Sequence, residues 1–346
     1  MRVVKQASAR GDKSFENKIK DTLESLIKQY KEYNLAKLDI FVDNAICKEN
    51  KQIGLSISSI IKDLFKSNSP AFIVHTLDIC DNSDIYICAQ IFEKSESEIQ
   101  YKTILKHPYV VIKSNNSTEV LSGSIRFQED SLLFSAQRCF DFAEQILMAE
   151  DMNFGNIYKL CNYIPDINGS SNYENTQRGN LHIFNEIKGF FFEENLFTHG
   201  KPIISNRDNS AGSLVIDFNA IIQNNESTDL SIEQNAKINS DIINCKSVGN
   251  VSNNYWFSSN KDFEIKSDDI EQQTIEIIKA ITSLQNNIKG ESAALKFINV
   301  NIKNKDDFKC VNEIITGIFP DTPIIIYTSD DFKNNLLIEI EGLISC

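Results

Sequence analysis

The feature that most restricts the fold of this chain is an order of elements that occurs twice. Apolar residues at helix or strand spacing predict a helix, a strand, a second helix and two further strands over residues 131–222. The same order is predicted over residues 267–344. Such a repeat indicates two copies of one supersecondary unit. The sequence therefore predicts an α+β fold of two tandem units, each a mixed sheet with two helices packed on one face.

The same patterns suggest how the chain divides into domains. A helix is predicted over residues 14–33, so residues 1–34 are interpreted as an N-terminal helical extension. Residues 223–229 are polar and lack apolar spacing, which is typical of a boundary. We therefore expect a first unit over residues 35–225 and a second unit over residues 226–346.

Composition argues against two classes of partner. Hydrophobic residues make up 41% of the 346 residues, and no apolar run approaches the length of about 20 that a membrane span needs. The net charge of −13, without a stripe of Lys or Arg, argues against binding to nucleic acid. No apolar segment follows the basic residues of the N-terminus, so no signal peptide and a cytoplasmic location are expected.

The residues that usually bind metals and cofactors show no recognisable spacing. None of the eight cysteines forms a Cys-x-x-Cys pair, and the four histidines are scattered. The sequence also lacks a Gly-rich phosphate loop. We therefore expect neither a metal nor a cofactor.

Two carboxylates interrupt the apolar strand predicted near the C-terminus. Glu339 and Glu341 are two positions apart, so both point to one side of a strand. If that side is buried, the carboxylates need hydrogen-bond partners or one of them must be protonated. Such a group is a candidate general acid or base. The alternative is a strand whose acids are simply solvated.

The C-terminal stretch resembles the YjgF/RidA superfamily. Its members share the order Lys-Val-x-Val, Asp-Phe, Val-Asn and a final Val-Glu-Ile-Glu. The matching segments here are Leu295-Lys-Phe-Ile, Asp306-Asp-Phe, Val311-Asn and Leu337-Ile-Glu-Ile-Glu341.

The middle of the chain is similar to a narrower group, the chorismatases. That family has a Trp-Asn-Tyr-Leu-Pro-Asp-Ile-Asn motif, followed by a Tyr-rich segment that ends in Asn-x-Gly-Arg and by a loop led by Pro. The corresponding segments here are Asn162-Tyr-Ile-Pro-Asp-Ile-Asn168, Tyr173, Gly179 and Pro202-Ile-Ile-Ser-Asn-Arg207. Chorismatases are built from two YjgF-like units, in agreement with the repeat.

This resemblance implies an activity and a set of site residues. Chorismatases hydrolyse chorismate and release its enol-ether side chain as pyruvate. The match assigns the acid that protonates the methylene carbon to Glu339, with Glu341 as an assisting or structural carboxylate. A small carboxylic-acid substrate needs basic and hydrogen-bonding side chains. Candidates near the motif are Lys159, Asn162, Tyr163, Arg178 and Arg207.

The chain also departs from the chorismatase pattern. The family's Gly-Arg is Gly179-Asn180 here, its Trp is Cys161, and its Ser-Gly-Thr-Ala-Ser strand has no counterpart in residues 258–266. These losses favour the alternative of a catalytically degenerate member that binds a small acid or a partner protein. A RidA-like imine deaminase is disfavoured, because Ile324 replaces the carboxylate-binding Arg of those enzymes.

The oligomeric state is left open by the resemblance. RidA-like units commonly form trimers with sites at their contacts, and a chain of two units can imitate part of that arrangement within itself. A monomer, a homotrimer and a complex with a biosynthetic partner protein are therefore all retained as expectations.

Overall fold

The computed structural model describes most of the chain, and all structural statements below concern these residues. They are residues 2–345 without 10, 50–51, 82, 96, 116, 174–175, 193–196, 198–200, 210–211, 224–242, 249–253, 260–266, 289–292, 330–331 and 333–334. Most of the predicted boundary at 223–229, and most of the segment 258–266, therefore lie outside the described residues.

The first unit comprises residues 2–93. Its elements are β1 (Arg2–Ala9), α1 (Phe15–Gln29), β2 (Tyr33–Asp43), α2 (Asn44–Glu49), α3 (Ile53–Phe65), β3 (Ala71–Ile79) and β4 (Ser83–Glu93). Strand β2 is parallel to β3 and antiparallel to β4. Helices α1 and α3 bury Ile and Leu side chains against one face of these strands because their apolar residues recur every three or four positions.

The middle unit comprises residues 98–223. Its elements are β5 (Glu98–Ile104), β6 (His107–Lys113), β7 (Ser117–Leu121), α4 (Leu132–Met148), β8 (Ile157–Ile164), β9 (Ser170–Tyr173), β10 (Thr176–Gly179), α5 (Asn180–Phe191), β11 (Ile203–Asp208) and β12 (Val215–Gln223). Strand β8 is parallel to β11 and antiparallel to β12. Helix α4 starts where the Ser131 hydroxyl accepts a hydrogen bond from the Phe134 amide.

The third unit covers residues 243–345. Its elements are β13 (Ile243–Val248), β14 (Asn254–Ser259), α6 (Ile270–Asn287), β15 (Ala294–Ile302), α7 (Phe308–Ile318), β16 (Ile324–Thr328) and β17 (Ile338–Ser345). Strand β15 is parallel to β16 and antiparallel to β17. The Asp269 carboxylate caps α6 by accepting a hydrogen bond from the Glu271 amide at 3.0 Å.

Two large sheets carry these units. The first and third units share a nine-stranded sheet with the order β1-β4-β2-β3-β16-β15-β17-β14-β13, joined where β3 meets β16. The middle unit forms a six-stranded sheet with the order β11-β8-β12-β7-β6-β5, and β9 and β10 form a hairpin. The α+β class and the two predicted tandem units, each with two helices on one face, are therefore confirmed.

The structure contains a further copy of the same order. Helix α1, strand β2, helix α3 and strands β3 and β4 repeat the helix, strand, helix, strand, strand arrangement of the other two units. Residues 2–9, within the predicted N-terminal helical extension, form an edge strand that pairs with β4 instead. The described chain thus holds three related units.

The sheet faces that carry no helices meet in the middle of the molecule, and we call them the central face. Strand alternation puts many polar and aromatic side chains there, among some aliphatic ones. In each unit, one row of cross-strand neighbours runs across the three corresponding strands. The rows are Tyr86–Phe41–His75, Val215–Tyr163–Arg207 and Glu339–Asn301–Tyr327.

Candidate functional site

The first and middle units are joined by a buried ion pair. The Lys37 ammonium on β2 donates to both carboxylate oxygens of Asp217 on β12, at 2.8 and 2.6 Å, and to the Asn219 amide oxygen at 3.1 Å. Burial opposes the charged form of Lys37, but the Asp217 carboxylate overcomes it and raises the pKa of Lys37. Because the two charges compensate each other, this ion pair stabilises the contact between the first and middle units.

The middle and third units are joined by a second ion pair. Arg207 on β11 contacts a carboxylate oxygen of Glu341 on β17 at 2.6 Å. The Ser205 hydroxyl donates to the other oxygen at 2.5 Å, and Arg207 Nε donates to the Ser205 hydroxyl at 3.3 Å. Glu341 keeps 16% of its side chain exposed, so this pair is reachable from solvent.

The third and first units meet through apolar side chains. Phe41 and Tyr86 of the first unit pack with Phe297 and Tyr327 of the third. The Phe41 and Tyr327 ring centroids are 6.4 Å apart, and the Arg207 guanidinium carbon is 5.3 Å from the Tyr327 ring centroid. Tyr327 therefore links the apolar contact to the Arg207–Glu341 pair.

A histidine and an aspartate of the first unit lie beside this group. His75 Nε2 is 3.4 Å from a carboxylate oxygen of Asp39. The imidazole stacks on Phe41 with the ring centroids 4.4 Å apart, and it makes a T-shaped contact with Tyr163 with the centroids 5.2 Å apart. Tyr163 is the cross-strand partner of Arg207, so the three units converge here.

The environment separates the charge states of His75 and Asp39. Burial lowers the pKa of His75, so the imidazole is neutral at pH 7. Burial alone would raise the pKa of Asp39, but the hydrogen bond with His75 and the charges of Lys37 and Lys159 hold it at about 2. A neutral imidazole thus lies against an ionised carboxylate, with Nε2 as the donor.

The Cys161 thiol, two residues before Tyr163 on β8, is not activated for nucleophilic attack. Burial raises the pKa of Cys161 to about 11, so the protonated form dominates at neutral pH. Throughout the described ranges, no three side chains of His, Cys, Asp or Glu come together as a group that would hold a metal ion.

Several buried polar atoms of the central face have no hydrogen-bond partner among the described residues. Two of them are His75 Nδ1 and the Tyr327 hydroxyl, which belong to residues that are 6% and 0% exposed. A buried polar atom without a partner costs roughly 1–3 kcal/mol. Such atoms in a folded protein call for a ligand or a bound water. Because Asp39 retains 25% exposure beside them, the group is not sealed from solvent.

The structure brings several predicted site residues together. Glu339 and Glu341 share one side of β17, and both belong to the central face. Glu339 is 6% exposed and lies opposite Asn301 of β15. Tyr163 and Arg207 are cross-strand neighbours in the same region.

Three other predicted residues lie differently. The Lys159 ammonium is on the central face but sits 3.9 Å from the Trp256 ring centroid. Asn162 points to the opposite, helix-covered side of β8, where its amide donates to Asn206 at 2.8 Å. Arg178, on the β9–β10 hairpin, forms an ion pair with Glu186 of α5. Asn162 and Arg178 are therefore not part of the central group.

The first unit supplies site residues that the sequence reasoning did not single out. Lys37 and Asp39 alternate with Leu38 and Ile40 in β2, and His75 follows an apolar run in β3. This is the same signal, charges spaced by two within an apolar strand, that identified Glu339 and Glu341. The sequence shows this pattern of charged residues over residues 37–43.

The three-dimensional comparison matches the full length of the chain to a solved structure. A solved chorismatase covers 99% of this chain and 98% of its own, with a TM-score of 0.58 and 10% sequence identity. The chain therefore has the fold of that chorismatase.

Single-unit proteins also match parts of the chain. YjgF family members from Neisseria meningitidis and Mycobacterium tuberculosis cover 37% and 32% of it, with TM-scores of 0.28 and 0.24 and identities of 9% and 11%. They are matched over 98% and 84% of their own lengths.

Sequence comparisons add no relative. No protein-family model matches the chain, and no curated protein matches it. None of the described helices combines the length and apolar character that a membrane crossing requires.

Proposed function

We propose that this protein is a chorismatase-like hydrolase that releases pyruvate from chorismate or a related cyclic enol-ether acid. The observation that carries the proposal is the arrangement on β17, where Glu339 is buried and Glu341 is held by Arg207 on the central face of a chorismatase fold. A buried carboxyl beside fixed polar groups suits proton transfer to carbon.

The proposed reaction has three steps. The Glu339 carboxyl donates its proton to the methylene carbon of the enol ether, which leaves an oxocarbenium cation. Water adds to the cationic carbon, loses one proton and gives a neutral hemiketal. The hemiketal breaks down to pyruvate and the ring alcohol. The nearby Glu341 carboxylate would stabilise the developing positive charge, since opposite charges attract strongly in a partly dry site.

Substrate binding is assigned to groups around the same point. Arg207 and Lys159 supply positive charge for the substrate carboxylates, and Tyr163 supplies a phenol whose high pKa, caused first by burial, keeps it a hydrogen-bond donor. Ile324 and Ile326 belong to the helix-side core rather than to the central face. They therefore do not fill the space beside Glu339, as a degenerate apolar pocket would require.

One observation favours the alternative of a non-catalytic binding protein. Two cations of the central face are already paired: Lys37 with Asp217, and Arg207 with Glu341. A substrate carboxylate must then compete with protein carboxylates for them. Binding without turnover, of a small acid or a partner protein, is the outcome expected if that competition keeps the substrate out of reach of Glu339.

The deciding experiment is pyruvate release from chorismate by the purified protein, followed with lactate dehydrogenase. We expect turnover by the unaltered protein and its loss in Glu339→Gln, which keeps the shape but removes the acid. Glu144→Gln, on the exposed side of α4, is the matched control and should keep full activity. No release, together with binding of chorismate by calorimetry, would support the alternative function.

A further inference from the structure

His75 is built into the site as a group with one free nitrogen. The residue is 6% exposed, its Nε2 is 3.4 Å from Asp39, and its Nδ1 has no hydrogen-bond partner among the described residues. Phe41 stacks on one face of the ring at 4.4 Å, and Tyr163 meets the ring at 5.2 Å. These contacts fix the ring plane, so the direction of the Nδ1 lone pair is fixed as well.

The groups around His75 set its tautomer. The ionised Asp39 accepts the Nε2 proton, which leaves Nδ1 as an acceptor. Charged groups act on the ring from several strands: Asp39 of β2 and Asp217 of β12 favour the imidazolium, and Arg207 of β11 opposes it. Tyr163 of β8 faces the ring as a neutral phenol. An acceptor nitrogen in this position needs a donor, and water is the donor that the proposed reaction consumes.

We propose that His75 is the base of the hydrolysis, taking a proton from the attacking water at Nδ1, with Asp39 as its positioning residue. This inference rests on the proposed function. It also gives the first unit, which carries none of the residues expected from the sequence, a catalytic part in the site.

The protons and electrons balance over the cycle. A lone pair of water forms the bond to the oxocarbenium carbon while one O–H proton passes to His75 Nδ1. The imidazolium then gives this proton to the ether oxygen that is attached to the substrate ring, as the bond between that oxygen and the hemiketal carbon breaks. Glu339, deprotonated in the first step, takes the proton of the hemiketal hydroxyl as pyruvate forms. Both residues return to their starting states.

The test compares pH profiles of pyruvate release from chorismate. A positioned general base contributes roughly 10²–10⁴-fold, so His75→Gln should lower kcat by about that factor. It should also remove the low-pH limb of the profile, which the neutral imidazole creates. Asp39→Asn should lower kcat less and move that limb to lower pH, because it removes groups that favour the imidazolium. His182→Gln, an exposed histidine of α5, is the control and should change neither.

A second variant separates catalysis from folding. His75→Ala leaves space beside Phe41 that added imidazole can occupy, and the free base should restore part of the lost turnover. Melting temperatures and chorismate binding of each variant identify those that misfold.

Two results are distinguishable failures. Full activity in His75→Gln with an unchanged pH profile, or no rescue of a folded His75→Ala protein that still binds chorismate, overturns the role of His75 and leaves the hydrolase proposal standing. No pyruvate from the unaltered protein overturns the hydrolase proposal itself, and the assignment of His75 with it.

Discussion

The Lys37 ammonium is almost completely buried and depends on Asp217 and Asn219 for its hydrogen bonds. Removing one partner of a buried ion pair leaves an uncompensated charge, which costs about 3–5 kcal/mol. We therefore expect Lys37→Met to lower the free energy of unfolding, measured in urea, by that amount. The double variant Lys37→Met with Asp217→Leu should recover most of the loss, because no isolated charge remains.

An exposed ion pair provides the comparison. Lys13 and Asp21 are 2.6 Å apart but 69% and 52% exposed. Because water screens such a pair, Lys13→Met should change the free energy of unfolding by less than about 1 kcal/mol. Equal decreases in the free energy of unfolding for Lys13→Met and Lys37→Met would contradict the conclusion that the buried Lys37 ion pair stabilises the contact between two units.

Asp39 and His75 make stability depend on pH in the same direction. The pKa of Asp39 is lowered from 3.8 to about 2, so its stabilising effect is present above pH 4 and is lost as pH falls towards 2. The lowered pKa of His75 adds a loss that begins below the ordinary histidine pKa of about 6.5. The full Asp39 effect corresponds to about 2 kcal/mol.

Urea unfolding at several pH values checks this dependence. The free energy of unfolding of Asp39→Asn should be lower than that of the unaltered protein at pH 7, and the two should converge near pH 2. Asp321→Asn, at an exposed position before β16, should give a curve parallel to the unaltered protein. A constant difference between the Asp39→Asn and unaltered proteins would refute the lowered pKa.

At the scale of elements, β17 is held close to its neighbours by a glycine. A Cβ added at Gly342 would lie 2.5 Å from the Phe297 carbonyl oxygen and 2.6 Å from the Phe257 ring. Overpacking of this kind typically costs 1–3 kcal/mol, and relief here requires movement of the backbone. Gly342→Ala should therefore lower the melting temperature and, by displacing the adjacent Glu341, reduce pyruvate release.

Gly317 of α7 is the matched control for this prediction. No atom lies within 4 Å of the Cβ that would be added there. Alanine favours a helix over glycine by roughly 0.5–1 kcal/mol, so Gly317→Ala should leave activity intact and raise stability slightly. Equal melting temperatures for the two alanine variants would contradict the tight packing of β17.

The elements that the sequence predicted well share strong periodicity. Helix α4 spans Leu132–Met148, at the start of the repeat predicted from residue 131, because its apolar spacing and Ser131 cap are both local. Helix α5, the second helix of that repeat, begins only at Asn180, since the β9–β10 hairpin occupies the preceding residues. Helix α3 was missed although Ile53, Ile57 and Ile61 recur every fourth residue.

What the sequence did not predict is set by contacts between units. Strand β1 has no apolar alternation, and its pairing with β4 defines it. His75 is separated from Tyr163 and Tyr327 by long stretches of chain, and a local pattern carries no information about which strands of different units face each other. The carboxylates of β17 were predictable because one strand contains both.

In the complete fold, each of the three units packs against the other two within a single chain. Ion pairs lie at two of the junctions, apolar side chains pack at all three, and β3 and β16 continue one sheet across two units. We therefore expect a monomer. Light scattering coupled to gel filtration should give 39.3 kDa, whereas a threefold larger mass would show a homotrimer.

Corresponding strands of the three units place His75, Arg207 and Tyr327 around one point. In a ring of identical subunits, any substitution on such a strand would appear three times, and the surroundings of a bound molecule would keep rotational symmetry. Here each of the three positions is encoded separately, so an imidazole, a guanidinium and a phenol can differ in charge and can be mutated one at a time. An asymmetric substrate with a carboxylate, an ether and a hydroxyl can thus contact a different protein group on each side.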